Sequence, residues 1–180
     1  SNDAPTVATS LTDGSIAEDS AYSLDVDGMC TDVDASDTMT YSISGAPSTI
    51  TISGTTISGT PVNADVGTHT ITVTCTDSGQ ASASDDYDLT ITNTNDAPTI
   101  SSNAVTAVDE DAAYSYTVVA TDVDSGDTVT LTGTSVPSWM SFDASSGALT
   151  GTPTNSEVGS HAVVITALDA SGASATDSFT

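Results

Sequence analysis

Asn2-Asp3-Ala4-Pro5-Thr6 returns unchanged as Asn95-Asp96-Ala97-Pro98-Thr99, 93 positions further along the chain. Three other landmarks return in the same order at offsets of 90 to 92 positions. They are Glu18-Asp19 with Glu110-Asp111, Thr31-Asp32-Val33-Asp34 with Thr121-Asp122-Val123-Asp124, and Gly59-Thr60-Pro61 with Gly151-Thr152-Pro153. A fixed period of this length is typical of tandem domains. We therefore predict two repeats, at residues 1–94 and 95–180.

The pattern inside each repeat is that of short β-strands. Tyr114–Val118 and Thr128–Leu131 alternate with a period of two, His161–Leu168 is more continuously apolar, and Ile50–Ile57 indicates a tight hairpin. Helical periodicity is nowhere sustained. About seven short strands in a repeat of this length predict an all-β chain of two immunoglobulin-like, seven-strand Greek-key sandwiches. We expect the last strand of the second repeat to be unfinished at Thr180, and the chain to be part of a longer exported protein.

The charge of the chain is entirely acidic. It has 25 Asp and Glu residues and no Lys or Arg, and all but three of the acids are Asp. Without basic residues, we expect neither nucleic acid binding nor insertion into a membrane. Acidic composition with few aromatic residues is also seen in disordered chains, but the apolar content of 37% and the strand pattern favour a folded one. Short carboxylates on turn-forming Asp favour Ca²⁺ as the counter-ion.

The passage from Pro137 to Pro153, with Trp139 and Gly151-Thr152-Pro153, resembles the hairpin of bacterial cadherin-like repeats. These are the dystroglycan-type cadherin-like and immunoglobulin-like modules of large secreted adhesins. The resemblance covers nearly the whole chain. It implies a secreted protein at the surface of a bacterium, with calcium bound between successive repeats. Its expected partners are neighbouring repeats of the parent chain, and a cell-surface protein or polysaccharide.

The resemblance also implies calcium ligands. The ligands expected between the two repeats are Glu18, Asp65, Asn93, Asn95, Asp96, Asp122, Asp124 and Asp169. An N-terminal half-site is expected at Asn2, Asp3, Asp32, Asp34 and Asp77, and a C-terminal half-site at Glu110 and Glu157. Asn93 stands where the family has Asp. The linker is one residue shorter than in the family, and the family's charged triplet around the second acidic position is reduced to a single acid, so we expect fewer than three ions. The alternative is that these acids are solvated, as we expect for Asp25, Asp85, Asp86, Asp88 and Asp143. Repetition at equivalent positions favours metal.

Two cysteines distinguish the first repeat from the second. Cys30 and Cys75 each precede a Thr-Asp pair, and the second repeat has Ala120 and Ala167 at those positions. In the expected sandwich these strands belong to opposite sheets and end at the same pole. A disulfide across the sandwich, as in antibody domains, is the first prediction, and two buried free thiols are the alternative.

No catalytic constellation is present in the sequence. His69 and His161 are single in their repeats and are expected to be structural, and Trp139 and Phe142 are expected in the core rather than on a sugar platform. Serine is abundant, but no nucleophile elbow occurs. We therefore expect no enzyme, and predict a calcium-rigidified stalk or adhesion module. A calcium-dependent carbohydrate-binding module is the alternative, which the low count of eight aromatic residues disfavours.

Overall fold

A computed structural model describes residues 2–34 and 36–180. The chain divides into two compact units, Ser1–Thr94 and Asn95–Thr180. The regular structure in the described residues is almost entirely β, interrupted by two 3-10 turns at Asn63–Asp65 and Asn155–Glu157. The all-β fold predicted from the sequence is confirmed. No helix in the described residues is long and apolar enough to cross a membrane.

The first unit is a sandwich of two main sheets. Its strands are β1 (Thr6–Val7), β2 (Gly14–Ala17), β3 (Tyr22–Asp25), β4 (Cys30–Thr31), β5 (Thr40–Ser44), β6 (Ile50–Ser53), β7 (Thr56–Gly59), β8 (Gly67–Thr76) and β9 (Ser82–Thr92). One sheet has the order β2-β9-β8-β5 and the other β3-β7-β6, while β1 pairs with β4. The predicted tight hairpin is confirmed: β6 and β7 pair antiparallel around Gly54, whose positive φ of 61° suits glycine.

The long hairpin of β8 and β9 carries the core of this unit. Ten residue pairs join the two strands, from Gly67 opposite Ile91 to Thr76 opposite Ser82. Alternate residues of β8 point inward, and the buried Ile71 and Val73 have no exposed surface. Their threonine neighbours point outward, as a half-buried strand requires. Burial of each aliphatic side chain contributes roughly 1.5–3 kcal/mol.

The disulfide joins the small β1-β4 sheet to the four-stranded sheet of the first unit. Cys30 on β4 and Cys75 on β8 are bonded, with their Cα atoms 6.5 Å apart. Both residues are buried, at 6% and 0% exposure. No described cysteine is free.

The second unit repeats this architecture. Its strands are β10 (Thr99–Ile100), β11 (Tyr114–Thr117), β12 (Ala120–Thr121), β13 (Thr130–Ser135), β14 (Met140–Asp143), β15 (Ala148–Gly151), β16 (Val163–Leu168) and β17 (Ser174–Phe179). The sheets have the orders β13-β16-β17 and β11-β15-β14, and β10 pairs with β12. Trp139 and Phe142 pack against the core, whose members include Tyr114 and Leu149.

The last strand of each unit pairs antiparallel with the strand before it. β9 has eleven residues and β17 has six. The first residues of β8, Gly67–Thr70, pair with the end of β9, at Asp88–Ile91. In the second unit, β16 begins at Val163 rather than at His161 as predicted.

The repeated Gly-Thr-Pro motif has a steric basis. A Cβ atom on Gly59 would meet the backbone carbonyl of Thr49, and a Cβ on Gly151 would meet that of Trp139. Only glycine lets these neighbouring strands approach so closely.

Candidate metal centres

The loop after β4 turns its acids inward and its valine outward. Val33 is 79% exposed, whereas Asp32 and Asp34 on either side of it are half-buried. The equivalent loop of the second unit does the same, with Val123 at 58% and Asp124 at 8% exposure. Burying carboxylates while exposing an apolar side chain reverses the usual preference. A reversal at the same place in both units indicates that the carboxylates have a role inside the loop.

Three acids of the first unit form what we call the first acidic cluster: Asp32, Asp37 and Asp77. One carboxylate oxygen from each lies within 4.8 Å of the others. Oxygens bound to one Ca²⁺ at about 2.3–2.6 Å lie at most about 5 Å apart. The three carboxylates can therefore contact a single ion.

The carboxylates of this cluster are only partly satisfied by the protein. Asp32 Oδ1 accepts a bond from the Asp34 backbone N–H at 2.8 Å, and Asp37 Oδ1 accepts one from the Ser78 hydroxyl at 2.5 Å. The Oδ2 atoms of Asp32 and Asp37 are buried and accept no hydrogen bond from any described residue. Buried carboxylate oxygens without partners are costly, and two unit charges that lie within 4.8 Å of each other repel by about 3.5 kcal/mol or more at an effective dielectric of 20. A bound cation removes both costs.

The N-terminal segment supports the cluster. The Asn2 side-chain amide donates to Asp77 Oδ2 at 3.0 Å, and the Asp3 backbone N–H donates to Asp34 Oδ2 at 2.8 Å. Asp77 is 2% exposed. Hydrogen bonds thus connect Asn2 to Asp77, and Asp3 to Asp34 and on to Asp32. Of the five residues of the predicted N-terminal half-site, Asp32 and Asp77 place a carboxylate oxygen in the first acidic cluster, and metal binding by the other three stays a prediction.

The second acidic cluster consists of Asp122, Asp124 and Asp127. One ligand oxygen from each lies within 4.8 Å of the others. The Asp124 backbone N–H donates to Asp122 Oδ1 at 2.9 Å, as its counterpart does in the first unit. Asp122 Oδ2 is buried and has no hydrogen-bond partner in the described part of the chain.

The start of the second unit makes the same two bonds, one to Asp169 and one to Asp124 of the second acidic cluster. The Asn95 amide donates to Asp169 Oδ2 at 2.8 Å, and the Asp96 backbone N–H donates to Asp124 Oδ2 at 2.8 Å. The bond from Asn95 is the main cause that lowers the pKa of Asp169 below its ordinary value. Asp169 is therefore held ionised, the form that binds a cation.

Sequence reasoning missed one acid in each cluster, Asp37 and Asp127. The Asp37 backbone N–H donates to the Asp34 carbonyl at 2.9 Å, and Asp127 makes the same bond to Asp124 at 3.1 Å. These turns fold the third acid back onto the first. The signal was available, because Asp37 and Asp127 are separated by the same 90 positions as the Asp-x-Asp pairs before them.

Glu18 contacts the last residues of the first unit, next to Asn93 in the sequence. Glu18 is 1% exposed, its Oε1 accepts from the Thr94 backbone N–H at 2.9 Å, and its Oε2 has no partner among the described residues. Asn93 accepts a bond from Asn63 at 3.3 Å. Their role as calcium ligands stays a prediction.

Asp65 and Glu157 serve the 3-10 turns. Asp65 Oδ2 accepts from the Thr49 hydroxyl at 2.7 Å and the Val62 N–H at 3.0 Å, and these bonds lower its pKa. Glu157 Oε2 caps its own turn through the Thr154 N–H at 2.8 Å and hydroxyl at 2.6 Å, which lower its pKa in the same way. Each carboxylate thus has one oxygen engaged in capping, and metal binding by either residue stays a prediction.

Glu110 is exposed, unlike its counterpart Glu18. Its Oε2 accepts a bond from the Asn155 amide at 2.9 Å. Its role in a C-terminal half-site also stays a prediction.

The histidines bind the backbone of the same turns. Nε2 of His69 lies 2.7 Å from the Asp65 carbonyl oxygen, and Nε2 of His161 lies 2.6 Å from that of Glu157. A carbonyl only accepts, so Nε2 carries the proton and donates. His69 therefore fastens its turn to β8, and His161 fastens its turn to the segment just before β16.

The two sandwiches, each with a partly satisfied acidic cluster, define a tandem immunoglobulin-like repeat protein of the cadherin-like type. The chain belongs to the He_PIG family, described as "Putative Ig domain", whose model matches residues 4–92 and 97–180. The resemblance found in the sequence is confirmed.

Curated relatives and solved structures agree with this family. The chain is 30% identical over 144 residues, 79% of its length, to the "Serine-rich adhesin for platelets" of Staphylococcus aureus strain MRSA252. It spans 10% of that protein, and 6% of the adhesin of strain MSSA476 at the same identity. The match to the human desmocollin-1 ectodomain covers all of this chain and 36% of that ectodomain, at 17% identity and a TM-score of 0.54. The match to mouse cadherin-23 EC22-24 covers 99% of this chain and 65% of that structure, at 17% identity and a TM-score of 0.53. These structures show the fold.

Proposed function

We propose that this chain is a pair of calcium-binding repeats that act as a spacer or adhesion module of a secreted protein at a bacterial surface. The adhesins of S. aureus support the adhesive role and the location. The chain covers a tenth of such a protein or less. The proposal therefore concerns the module and assigns no partner to the whole protein.

One observation carries the calcium proposal. The same arrangement is built twice, in two units whose sequences otherwise differ at most positions: an Asp-x-Asp-x-x-Asp loop, an Asp after the long central strand, and an Asn-Asp pair that donates to both. In both units it leaves buried carboxylate oxygens without a hydrogen-bond donor among the described residues.

Calcium is the cation that fits these donors. All are oxygens from carboxylates, which hard cations prefer, and the loops hold no described cysteine or histidine that would favour zinc. The sequence supplies no Lys or Arg for charge compensation. Extracellular modules of this kind bind calcium at about 10⁻⁴–10⁻³ M, which suits a millimolar environment.

Calcium binding gives the module a mechanical role. An ion held by the carboxylates of the loop and of the strand end fastens two parts of a unit whose charges otherwise repel each other, and the N-terminal segment donates hydrogen bonds to both. We infer that filled sites stiffen each repeat at this pole. The further prediction from the sequence, that calcium stiffens the chain around Asn93–Pro98, is tested by small-angle scattering in calcium and in chelator.

The two missed acids provide the sharpest test. Asp37→Asn and Asp127→Asn keep the size of the side chain and remove its charge. Each should weaken calcium binding by its own unit at least tenfold and leave the other unit unchanged, as measured by isothermal titration calorimetry. Asp86→Asn is the matched control, because Asp86 is an exposed acid on β9 outside either cluster. Equal losses from Asp86→Asn and Asp37→Asn would mean that only total charge matters, and would reject the site.

A further inference from the structure

The disulfide of the first unit lies close in sequence to the first acidic cluster at both of its ends. Cys30 stands two residues before Asp32, and Cys75 stands two residues before Asp77. The bond holds the Cα atoms of the two cysteines 6.5 Å apart, and both cysteines are buried. Because two residues of chain span at most about 7 Å, the bond limits how far the two cluster acids can separate.

The hydrogen bonds of the sheets do not make this connection. Among the described strands, β4 pairs only with β1, whereas β8 belongs to the sheet β2-β9-β8-β5. The Ser78 hydroxyl, just after β8, donates to Asp37 Oδ1 in the loop, but this contact depends on an exposed side chain. The disulfide is therefore the covalent link between the strand that leads into the loop and the strand that ends at Asp77.

The second unit supplies the comparison, because Ala120 on β12 and Ala167 on β16 stand at the cysteine positions. The second acidic cluster draws all three of its acids from the loop that follows β12. The first acidic cluster instead takes Asp77 from the position directly after β8. The unit with the crosslink is thus the one whose cluster joins the loop to a strand end.

We propose that Cys30 and Cys75 are positioning residues for calcium, because their disulfide holds Asp77 against the loop and preorganises the first acidic cluster. The inference rests on the proposed calcium function of that cluster. The three carboxylates repel one another, so without the bond the strand end and the loop should move apart when no ion is present. Calcium would then have to bring them together again, at a cost in affinity that preorganisation avoids.

The test measures calcium binding by each unit in one NMR titration of the 180-residue chain with CaCl₂. The backbone amides of Asp34 and Asp124 each donate to the first acid of their own loop, so their signals report the two clusters separately. In the variant Cys30→Ala with Cys75→Ala, the Kd reported by Asp34 should rise about tenfold or more, as is usual when groups that orient metal ligands are lost. The Kd reported by Asp124 should not change.

Gly59→Ala is the matched control for a loss of stability without a loss of the crosslink. Its new Cβ meets the Thr49 carbonyl and destabilises the same unit, but the disulfide stays intact. The Kd reported by Asp34 should therefore equal that of the wild type. An equal rise of this Kd in the control and in the alanine variant would mean that the disulfide contributes only stability, and would overturn the proposal.

The reverse variant decides the question if the alanine variant does not fold. Ala120→Cys with Ala167→Cys places the same crosslink in the second unit, and the intact mass confirms the bond. The Kd reported by Asp124 should fall about tenfold, and Asp169→Asn in the crosslinked chain should remove the gain. A crosslinked chain with unchanged calcium affinity would overturn the proposal. Wild-type chain that binds no calcium at either cluster would instead reject the proposed function, and this inference with it.

Discussion

The disulfide of the first unit should account for a large part of that unit's stability. Cys30→Ala combined with Cys75→Ala opens a loop with a sequence separation of 45 residues. The chain-entropy relation gives about 4 kcal/mol at 25 °C for a loop of this length. The second unit shows that alanine fits both positions, since Ala120 and Ala167 stand there and Ala167 is fully buried. The substitution therefore removes the crosslink with little change in packing.

The second unit serves as an internal control in the assay. Differential scanning calorimetry should resolve the unfolding of the two units, and the variant should lower only the transition of the first. For a domain of this size, 4 kcal/mol corresponds to roughly 15–30 °C. Adding reductant to the wild-type chain should produce the same shift, and should not affect the variant. An unchanged first transition, or equal shifts of both, would refute the reasoning.

Two further predictions concern single side chains. Gly59→Ala should destabilise the first unit by about 2 kcal/mol or more, because the new Cβ meets the Thr49 carbonyl. The control Gly14→Ala should change the free energy of unfolding by no more than about 0.5 kcal/mol, because its Cβ makes only an ordinary contact. Equal urea midpoints for the two variants would contradict this prediction. Hydrogen bonds led by the Ser145 hydroxyl lower the pKa of Asp143 from 3.8 to about 2. The stabilisation from this ionised carboxylate is complete above the unfolded value and is lost as pH falls through about 2. NMR titration should show Asp143 titrating near 2 and moving toward 3.8 in Ser145→Ala, and a value near 3.8 in the wild type would disprove the assignment.

The sequence predicted the parts of the molecule that depend on local pattern. The alternation around Ile50–Ile57 specified the hairpin, and the repeated Asp-x-Asp pairs indicated the loops. Asp37 and Asp127 were missed although they recur at the same offset as those pairs, because a turn brings each of them back to the first acid of its loop.

Residues with two possible roles were the hardest to interpret. Asp65 and Glu157 are acids at equivalent positions of the two repeats, and this repetition indicated that they are metal ligands. The same repetition is also expected of a capping residue, since both carboxylates hold the backbone of a 3-10 turn. Sequence position alone does not separate the two roles, because a carboxylate accepts hydrogen bonds and binds cations through the same oxygens.

The central claim is that the two acidic clusters bind calcium, and a calorimetric titration of the metal-free chain with CaCl₂ tests it most directly. We predict saturable binding at both clusters with Kd values of about 10⁻⁴–10⁻³ M. Millimolar calcium should then raise both melting temperatures by several degrees, because the ion binds only the folded loops. A titration without binding heat, together with identical melting curves in 2 mM CaCl₂ and in chelator, would contradict the claim.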